Sequence, residues 1–229
     1  MLIQKSKMLI DVDDVIVDNA YLQALNEFMG TNFKPEDFEE YYLAEEKLTE
    51  EEAEGYRDYV YEHNIYEDCK LMEDVEIILP IMIECMDIHI CSSCIMKGLE
   101  KRSGVLFARK YDFLVDKFPT LESEKIILAG SKNCFTGFDY QVDDRLENLK
   151  GDSKNKFLFT RWHNRNISSL ELAKYGVIRV NSWLEMLKYI LLFEGTVRCE
   201  KFWKDYEGHM AGLKEMFLQQ VRRNSENGN

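Results

Sequence analysis

Short apolar runs and longer helical patterns alternate along most of this chain. Six runs have the length and composition of strands: residues 7–12, 87–93, 125–129, 140–144, 156–160 and 177–180. Apolar residues at three-to-four spacing predict helices between them, at residues 17–29, 98–118 and 168–174. Strands that alternate with helices favour a parallel sheet with helices on both faces. We therefore predict the α/β fold class, with a parallel sheet sandwiched by helices.

The segment between the first two predicted strands has a different pattern. From Lys34 to about Met86, acidic residues and tyrosines dominate, and no strand pattern is visible. Pro35-Glu36-Asp37 and Thr49-Glu50-Glu51-Glu52 are typical of helix starts. Residues 75–86 have a further helical pattern, in which Pro80 would introduce a kink. We predict a helical insertion between these two strands.

After the last predicted strand the pattern is helical again. A helix is predicted from Trp183 to Leu192, and Gly195 is expected to end it. Residues 200–223 have apolar side chains on one helical face, so this amphipathic helix would pack on the body of the protein or on a second subunit, as in a homodimer. Residues 224–229 are polar and expected to be disordered.

Composition and charge argue against several classes of function. The 229 residues carry a formal net charge of −13, which argues against binding to a nucleic acid polymer or to an anionic membrane surface. No apolar run approaches the roughly 20 residues of a membrane span. The residues before the first strand are too few for a secretory signal, so we expect no membrane association and a cytoplasmic location.

The six cysteines are not a disulfide framework in a chain of this length. Cys91 and Cys94 form one CxxC, but no second pair and no histidine stand at zinc-ligand spacing. Buried free thiols are therefore preferred to a zinc site.

Polar side chains follow four of the predicted strands at the point where each strand ends. The carboxyl ends of parallel strands meet at one edge of a sheet, where ligands bind. Carboxylates that lie close together repel one another, and a metal ion among them removes this repulsion. Mg²⁺ takes carboxylates together with water and phosphate oxygens, so a phosphate is the expected second ligand. The groups are Asp11 and Asp13, the serine pair Ser92 and Ser93, Lys132, and the second acidic pair Asp143 and Asp144.

These groups meet the needs of phosphoryl transfer. Asp11 can be a nucleophile that forms an aspartyl-phosphate. Asp13 lies two residues further along an extended chain, points to the same side and can act as acid and then base. Lys132 can neutralise charge on the phosphate and on Asp11. The serine pair can donate hydrogen bonds to the phosphoryl oxygens, and the second acidic pair can complete a Mg²⁺ site.

Each group also has a structural alternative. A lone D-x-D motif is weak evidence, two serines after a strand are commonly a turn or a helix cap, and a single lysine is commonly a solvated surface group. The second acidic pair, followed by Arg145, can be an N-cap with a salt bridge. The four groups in this order, each at a strand end, favour a functional site. Asp14 is expected to be a local hydrogen-bonding residue or a cap, without catalytic duty.

The sequence also resembles the haloacid dehalogenase-like phosphatases, and within them the 5′-nucleotidase C family, which includes the 5′(3′)-deoxyribonucleotidases. The resemblance covers about residues 7–190. It is carried by residues 11–18, 25–32, 35–37, 90–93, 130–132, 142–149 and 158–165.

This resemblance implies a Rossmann-like core with a small helical cap inserted after the first strand. It also implies Mg²⁺-dependent removal of phosphate from (deoxy)nucleoside monophosphates. Asp11 is then the nucleophile, and Asp13 is the acid and base, with a backbone carbonyl that also contacts the metal. Asp144 is expected to bind the metal, with Asp143 in support. The expected division of the chain is a core of residues 1–18 and 87–195, a cap of residues 19–86, and a C-terminal helix and tail of residues 196–229.

Several positions depart from the family pattern. Asp14 stands where relatives often have glycine, Cys94 where proline often follows the hydroxyls, and Asn19 where some members place an aromatic residue near the base. Residues 160–165 match the family motif only in part. The first two departures should not affect the chemistry, whereas the last two bear on base and sugar preference.

The substrate is less closely defined by the residues. The insertion is rich in aromatic side chains, and we expect Tyr41 and Tyr42 to be the ones that contact substrate, although most of its aromatics would form the cap's own core. Arg165 can reach the phosphate or a partner carboxylate, and His163 and His89 are given no role. Two other functions stay open: a phosphatase of another small phosphomonoester, such as a sugar phosphate, and a nucleotide-binding protein without turnover.

Overall fold

The structure is a computed structural model that describes residues 5–93 and 100–204, with side chains for residues 5–93 and 101–194. Its strands are β1 (Lys7–Ile10), β2 (Val17–Asp18), β3 (Lys70–Leu71), β4 (Asp87–Ser92), β5 (Ile126–Leu128), β6 (Tyr140–Asp143), β7 (Asn155–Phe159) and β8 (Val177–Val180). Its helices are α1 (Ala20–Met29), α2 (Leu43–Lys47), α3 (Glu50–Glu62), α4 (Val75–Cys85), α5 (Glu100–Lys117), α6 (Ser169–Lys174) and α7 (Trp183–Lys204).

Six strands form one sheet in the order β5-β4-β1-β6-β7-β8. Every neighbouring pair in this sheet is parallel. These are the six strands that the sequence predicts, and the α/β class is confirmed. Ile10 of β1 pairs with Ile90 of β4 on one side and with Val142 of β6 on the other. The carboxyl ends of these three strands therefore lie side by side.

The prediction missed a small second sheet. Val17 and Asp18 were expected at the start of the first helix, but they form β2, and α1 begins only at Ala20. β2 pairs antiparallel with β3, where Val17 faces Leu71. Two-residue strands are too short to show an alternating pattern, so the insertion appears to lack strands when only its sequence is read. This two-stranded sheet joins the segment after β1 to the segment before α4.

Apolar side chains from the sheet and from α4, α5 and α7 form the main core. Trp183 at the start of α7 is fully buried, and its Nε1 donates a hydrogen bond of 2.7 Å to the carbonyl of Val15. α4 was predicted as a helix, and it forms despite Pro80 inside it. Its buried side chains belong to the same cluster as those of the sheet, so hydrophobic contact ties this part of the insertion to the core.

A second cluster unites the first half of the insertion. α1, α2 and α3 contribute Leu25, Leu43 and Tyr56 to it, and the cluster also contains Leu106 of α5 and Trp162, which follows β7. Trp162 Nε1 donates to the Glu40 carbonyl at 2.9 Å. These helices therefore lie against the carboxyl side of the sheet. The predicted cap boundary at residue 86 stays a prediction.

The prediction that Gly195 ends the last helix is wrong, because α7 continues through it to Lys204. A single glycine inside a helix costs only about 1 kcal/mol relative to alanine, which good helix-forming neighbours offset. The predicted amphipathic helix beyond Lys204 and the predicted disordered tail lie outside the described residues. Within the described ranges, no helix combines the length and the apolar character that crossing a membrane requires.

Candidate active site

The sheet topology brings the predicted polar groups to one edge. Asp11 directly follows β1, Ser92 is the last residue of β4, and Asp143 is the last residue of β6. Asp144 comes next in the chain, and Lys132 lies in the loop that follows β5. Because β4, β1 and β6 are neighbours, residues from distant parts of the sequence come together.

Lys132 links the two acidic motifs. Its Nζ atom lies 2.6 Å from Oδ1 of Asp11 and 2.7 Å from Oδ2 of Asp143. The lysine is only 3% exposed, and Asp143 is fully buried. Although burial alone would lower the pKa of Lys132, the charges of Asp11 and Asp143 raise it above its ordinary value. Lys132 is therefore positively charged and neutralises part of a buried acidic cluster.

The acidic cluster consists of Asp11, Asp143 and Asp144. Each offers one carboxylate oxygen, and the three oxygens lie within 4.8 Å of one another. Burial, and next the negative charge of Asp143, raise the pKa of Asp144; burial also raises that of Asp11, against the opposing effect of Lys132. Three buried carboxylates with one lysine leave excess negative charge, and oxygen ligands suit a hard divalent cation. The cluster therefore fits a divalent metal ion.

Asp143 is held rigidly in this cluster. Its Oδ1 accepts hydrogen bonds from the Arg145 backbone and from Asn148 Nδ2, both at 2.9 Å. Its Oδ2 already accepts from Lys132. With both oxygens engaged, Asp143 serves to orient the site, and Asp144 presents the freer carboxylate.

Asp144 is supported by two residues that follow β7. His163 Nε2 lies 3.0 Å from Asp144 Oδ2, and Asn164 Nδ2 donates to the Asp144 carbonyl at 2.7 Å. Burial and the nearby cations Arg145 and Arg161 lower the pKa of His163 to about 4, so the ring is neutral at pH 7. His163 was given no role from the sequence. Its position just beyond a predicted strand end was the signal that would have found it.

Asp13 faces a different set of partners. Oδ1 accepts a 2.8 Å hydrogen bond from the hydroxyl of Tyr66, and Oδ2 pairs with Nζ of Lys110 in α5. Lys110 Nζ also donates to Ser92 Oγ at 2.8 Å. Sequence reasoning missed Lys110. The signal was its place on the buried face of α5, four residues after Leu106, where an apolar residue is expected.

The two serines differ in their environment. Ser92 is buried, and its hydroxyl lies in the network of Lys110 and Asp13, whereas Ser93 is exposed at the same strand end. Cys91, just before them, is a buried free thiol, and burial raises its pKa to about 12. Cys94 lies outside the described residues.

Asp14 is not one of the three carboxylates of the acidic cluster. It has a φ of 59°, a left-handed conformation that favours glycine and that aspartate tolerates better than most residues. Arg161 Nη2 lies 2.9 Å from Asp14 Oδ1 and 2.9 Å from Asp18 Oδ1, and it also contacts Asn19. Burial raises the pKa of Asp14 to about 7 even with Arg161 beside it. The local hydrogen-bonding role expected of Asp14 is thus an ion pair with Arg161.

Tyr41 lies near the acidic cluster, whereas Tyr42 is largely exposed. The Arg145 guanidinium lies 4.3 Å from the centre of the Tyr41 ring, and the His163 ring packs edge-on against it at 5.1 Å. Burial, followed by the charge of Asp144, raises the pKa of Tyr41. Tyr42 is 55% exposed. Arg165 is also exposed, and its Nη2 donates to the Phe38 carbonyl at 3.4 Å, a contact with the insertion.

Comparison with known proteins identifies a family and several relatives. Residues 5–195 match the family model for "5' nucleotidase, deoxy (Pyrimidine), cytosolic type C protein". A Staphylococcus epidermidis protein named "Putative 5'(3')-deoxyribonucleotidase" is 26% identical over 190 residues, which cover 81% of this chain and 96% of the relative. A Staphylococcus aureus protein with the same name is 26% identical over 130 residues, 57% of this chain and 64% of the relative.

Solved structures agree on the fold. A haloacid dehalogenase-like protein of unknown function from Agrobacterium tumefaciens has a TM-score of 0.52 at 15% identity, covering 81% of this chain and 97% of its own. A haloacid dehalogenase-like hydrolase from Streptococcus pneumoniae has a TM-score of 0.50 at 14% identity, covering 82% and 99%. The chain therefore has the haloacid dehalogenase-like fold, and it belongs to the 5′-nucleotidase family of deoxy (pyrimidine), cytosolic type C proteins, as an enzyme of the phosphatase type.

Proposed function

We propose that this protein is a Mg²⁺-dependent phosphatase that removes the phosphate from (deoxy)nucleoside monophosphates. The observation that carries the proposal is the position of Lys132, whose ammonium group bridges Asp11 and Asp143 within a cluster of buried carboxylates. A nucleophile, a cation and a metal-binding acidic pair at one sheet edge are what phosphoryl transfer requires.

The first step forms an aspartyl-phosphate. A carboxylate oxygen of Asp11 attacks the phosphorus atom, and the bond between phosphorus and the ester oxygen breaks. Asp13 gives its proton to the leaving oxygen, which departs as the hydroxyl of the nucleoside. Lys132 and the hydroxyls of Ser92 and Ser93 stabilise the charge on the phosphoryl oxygens.

The second step returns the enzyme to its starting state. Asp13, now a carboxylate, takes a proton from water, and the water oxygen attacks phosphorus. The bond between phosphorus and the Asp11 oxygen breaks, which gives inorganic phosphate and a free Asp11 carboxylate. One aspartate thus serves as acid and then as base.

The residues that would hold Mg²⁺ are Asp11, Asp144 and the backbone carbonyl of Asp13, with Asp143 in support. The bound ion would supply positive charge next to the phosphoryl oxygens. The chemistry of these donors supports the assignment, since all are oxygen atoms and three belong to buried carboxylates that repel one another.

A nucleotide substrate is supported by the family of the chain and by the names of its bacterial relatives. Tyr41 is the aromatic residue best placed to contact it, because it lies beside His163 and Arg145 at the acidic cluster. Tyr42 and Arg165 are exposed.

A substrate panel tests this function. Phosphate release is measured from ribo- and deoxyribonucleoside 5′- and 3′-monophosphates and from sugar phosphates, with Mg²⁺ and with excess chelator. We expect release from nucleoside monophosphates that depends on Mg²⁺ and is lost in Asp11→Asn. Asp112→Asn, at an exposed aspartate of α5, is the matched control. Equal rates for wild type and Asp11→Asn would rule out Asp11 as the nucleophile.

A further inference from the structure

A second lysine is buried beside the catalytic groups, and the reaction above does not use it. Lys110 is 1% exposed and lies on the inner face of α5, next to the buried side chains of Leu106, Phe113 and Leu114. Removing an ammonium group from water costs several kcal/mol unless nearby groups compensate. The compensation comes from the active site, because Nζ of Lys110 pairs with Oδ2 of Asp13 and donates to Ser92 Oγ at 2.8 Å.

Asp13 is held from its other side as well. The hydroxyl of the fully buried Tyr66 donates to Oδ1 at 2.8 Å. The Lys110 ammonium lies 5.6 Å from the centre of the same ring, within the range of a cation–π contact. Tyr66 and Lys110 therefore engage both oxygens of one carboxylate, and they fix its orientation although Asp13 itself is only partly buried.

We infer that Lys110 is the positioning residue for Asp13, and that it holds this carboxyl group in the orientation in which it gives its proton to the leaving oxygen. The inference rests on the proposed function, in which Asp13 is the acid and base. The site then has two cations with separate tasks: Lys132 serves Asp11 and Asp143, and Lys110 serves Asp13 and Ser92.

The proton balance defines what Lys110 does. In the first step the proton moves from the Asp13 carboxyl to the leaving oxygen as the ester bond breaks, and Asp13 becomes negatively charged. Lys110 keeps its own proton and holds the Asp13 carboxylate in place through its contact with Oδ2. In the second step the Asp13 carboxylate takes a proton from water. Lys110 acts through Asp13, and it need not touch the substrate.

This assignment predicts a dependence on the leaving group. A nucleoside alkoxide is a poor leaving group and needs the proton from Asp13. p-Nitrophenolate is stable as an anion and needs little protonation. Loss of Lys110 should therefore slow the first step strongly for a nucleoside monophosphate and weakly for p-nitrophenyl phosphate.

The experiment measures the rate of leaving-group release in a single turnover, with Mg²⁺ present, for both substrates. For Lys110→Met we expect a loss of about a hundredfold with the nucleoside monophosphate and of less than about fivefold with p-nitrophenyl phosphate. Lys110→Arg, which keeps the positive charge, should restore part of the nucleotide rate. Lys117→Met changes an exposed lysine of the same helix and should leave both rates as in wild type.

The outcomes separate this inference from the proposed function. Equal losses on both substrates overturn the role of Lys110 and leave the phosphatase function standing. A wild-type protein that releases neither leaving group overturns both. If Lys110→Met does not fold, Tyr66→Phe removes the other hydrogen bond to Asp13 and keeps the ring. Its rate loss should also be larger with the nucleoside monophosphate than with p-nitrophenyl phosphate, although the difference should be smaller than in Lys110→Met. Equal losses on the two substrates would overturn the inference.

Discussion

His163 Nε2 lies 3.0 Å from Oδ2 of Asp144, one of the three carboxylates in the buried acidic cluster. The imidazole is neutral because its pKa is lowered to about 4. A neutral ring has one N–H group. When a bound cation keeps Asp144 ionised, the carboxylate can accept that N–H, so the tautomer protonated at Nε2 fits this contact. His163 therefore orients the carboxylate without neutralising its charge.

Replacing His163 should weaken metal binding. Loss of a residue that orients a metal ligand typically costs 10- to 100-fold in affinity, so we expect about a tenfold loss for His163→Phe. Isothermal titration of the substrate-free protein with Mg²⁺ or Mn²⁺ measures it. His163→Gln, whose amide nitrogen can reach the same position, should retain most of the affinity. His63→Phe is the control at an exposed histidine, and an unchanged affinity in His163→Phe would contradict the role.

Divalent cations should stabilise the fold. Asp11 and Asp144 both have raised pKa values because they are buried among like charges, and a bound cation relieves that repulsion. At about a hundred times the dissociation constant, Mg²⁺ should raise the melting temperature by roughly 5–10 °C. Scanning calorimetry measures this shift, and NaCl at matched ionic strength is the control salt. Asp144→Asn should melt higher than wild type without metal and lose the Mg²⁺ response; a full response in this variant would count against the site.

Lys132 should contribute strongly to stability. Lys132→Met leaves Asp11 and Asp143 buried without their shared cation, so we expect a loss of about 3 kcal/mol in the free energy of unfolding, measured in urea. Asp143→Asn in the same chain should recover part of the loss, because one buried charge is then absent. Lys154→Met, at an exposed lysine, should change stability by less than about 0.5 kcal/mol. A similar small change for Lys132→Met would disprove this contribution.

Tyr41 and Tyr42 are neighbours in sequence and should differ in effect. Tyr41 lies between Arg145 and His163, whereas Tyr42 is 55% exposed. If Tyr41 contacts the substrate, Tyr41→Ala should raise KM for the preferred nucleotide by about tenfold, since stacking on a base contributes about 1–3 kcal/mol. Tyr42→Ala should change KM less than twofold by the same measure. The reverse order would place the substrate at the outer face of the insertion.

Arg161 should hold the two-stranded β2–β3 sheet on the core. Its guanidinium contacts Asp14 and Asp18, of which Asp18 is the last residue of β2. Its Nη1 lies 3.4 Å from the sulfur of Met72, which directly follows β3. Arg161→Leu should speed amide exchange at Met72, whose N–H bonds the Ile16 carbonyl, by roughly tenfold or more. Arg102→Leu, at an exposed ion pair with Asp58, is the control. Unchanged exchange at Met72 would show that hydrophobic contacts alone hold this two-stranded sheet.

The residues at strand ends were predictable because two simple patterns coincide. The apolar runs mark the strands, and parallel strands share one carboxyl edge, so Asp11, Ser92 and Asp143 were expected along the same edge of the sheet once the class was α/β. Lys132 follows by the same argument. These predictions needed only local periodicity and the general rule for open parallel sheets.

The supporting residues could not be found in this way. Lys110 is one turn after Leu106 on a helix, and Tyr66 lies in an irregular segment of the insertion. Neither position has a local pattern that points to Asp13. Their role depends on how α5 and the insertion pack against the sheet, and packing is decided by contacts between residues far apart in the chain. The two-stranded β2–β3 sheet cannot be seen in the sequence for a related reason, because its strands have two residues each.

The sequence by itself therefore determined the layers of the fold, the order of the strands along the chain, and the identity of the acidic, hydroxyl and lysine groups at the strand ends. The tertiary structure alone decided which partners each group has: Lys132 between Asp11 and Asp143, Lys110 and Tyr66 on Asp13, His163 on Asp144, and Arg161 on Asp14. The physical reason is the separation along the chain of the residues that each signal involves. Periodicity is a property of adjacent residues, whereas a buried charge is satisfied by whichever partner the folded chain brings within hydrogen-bonding distance.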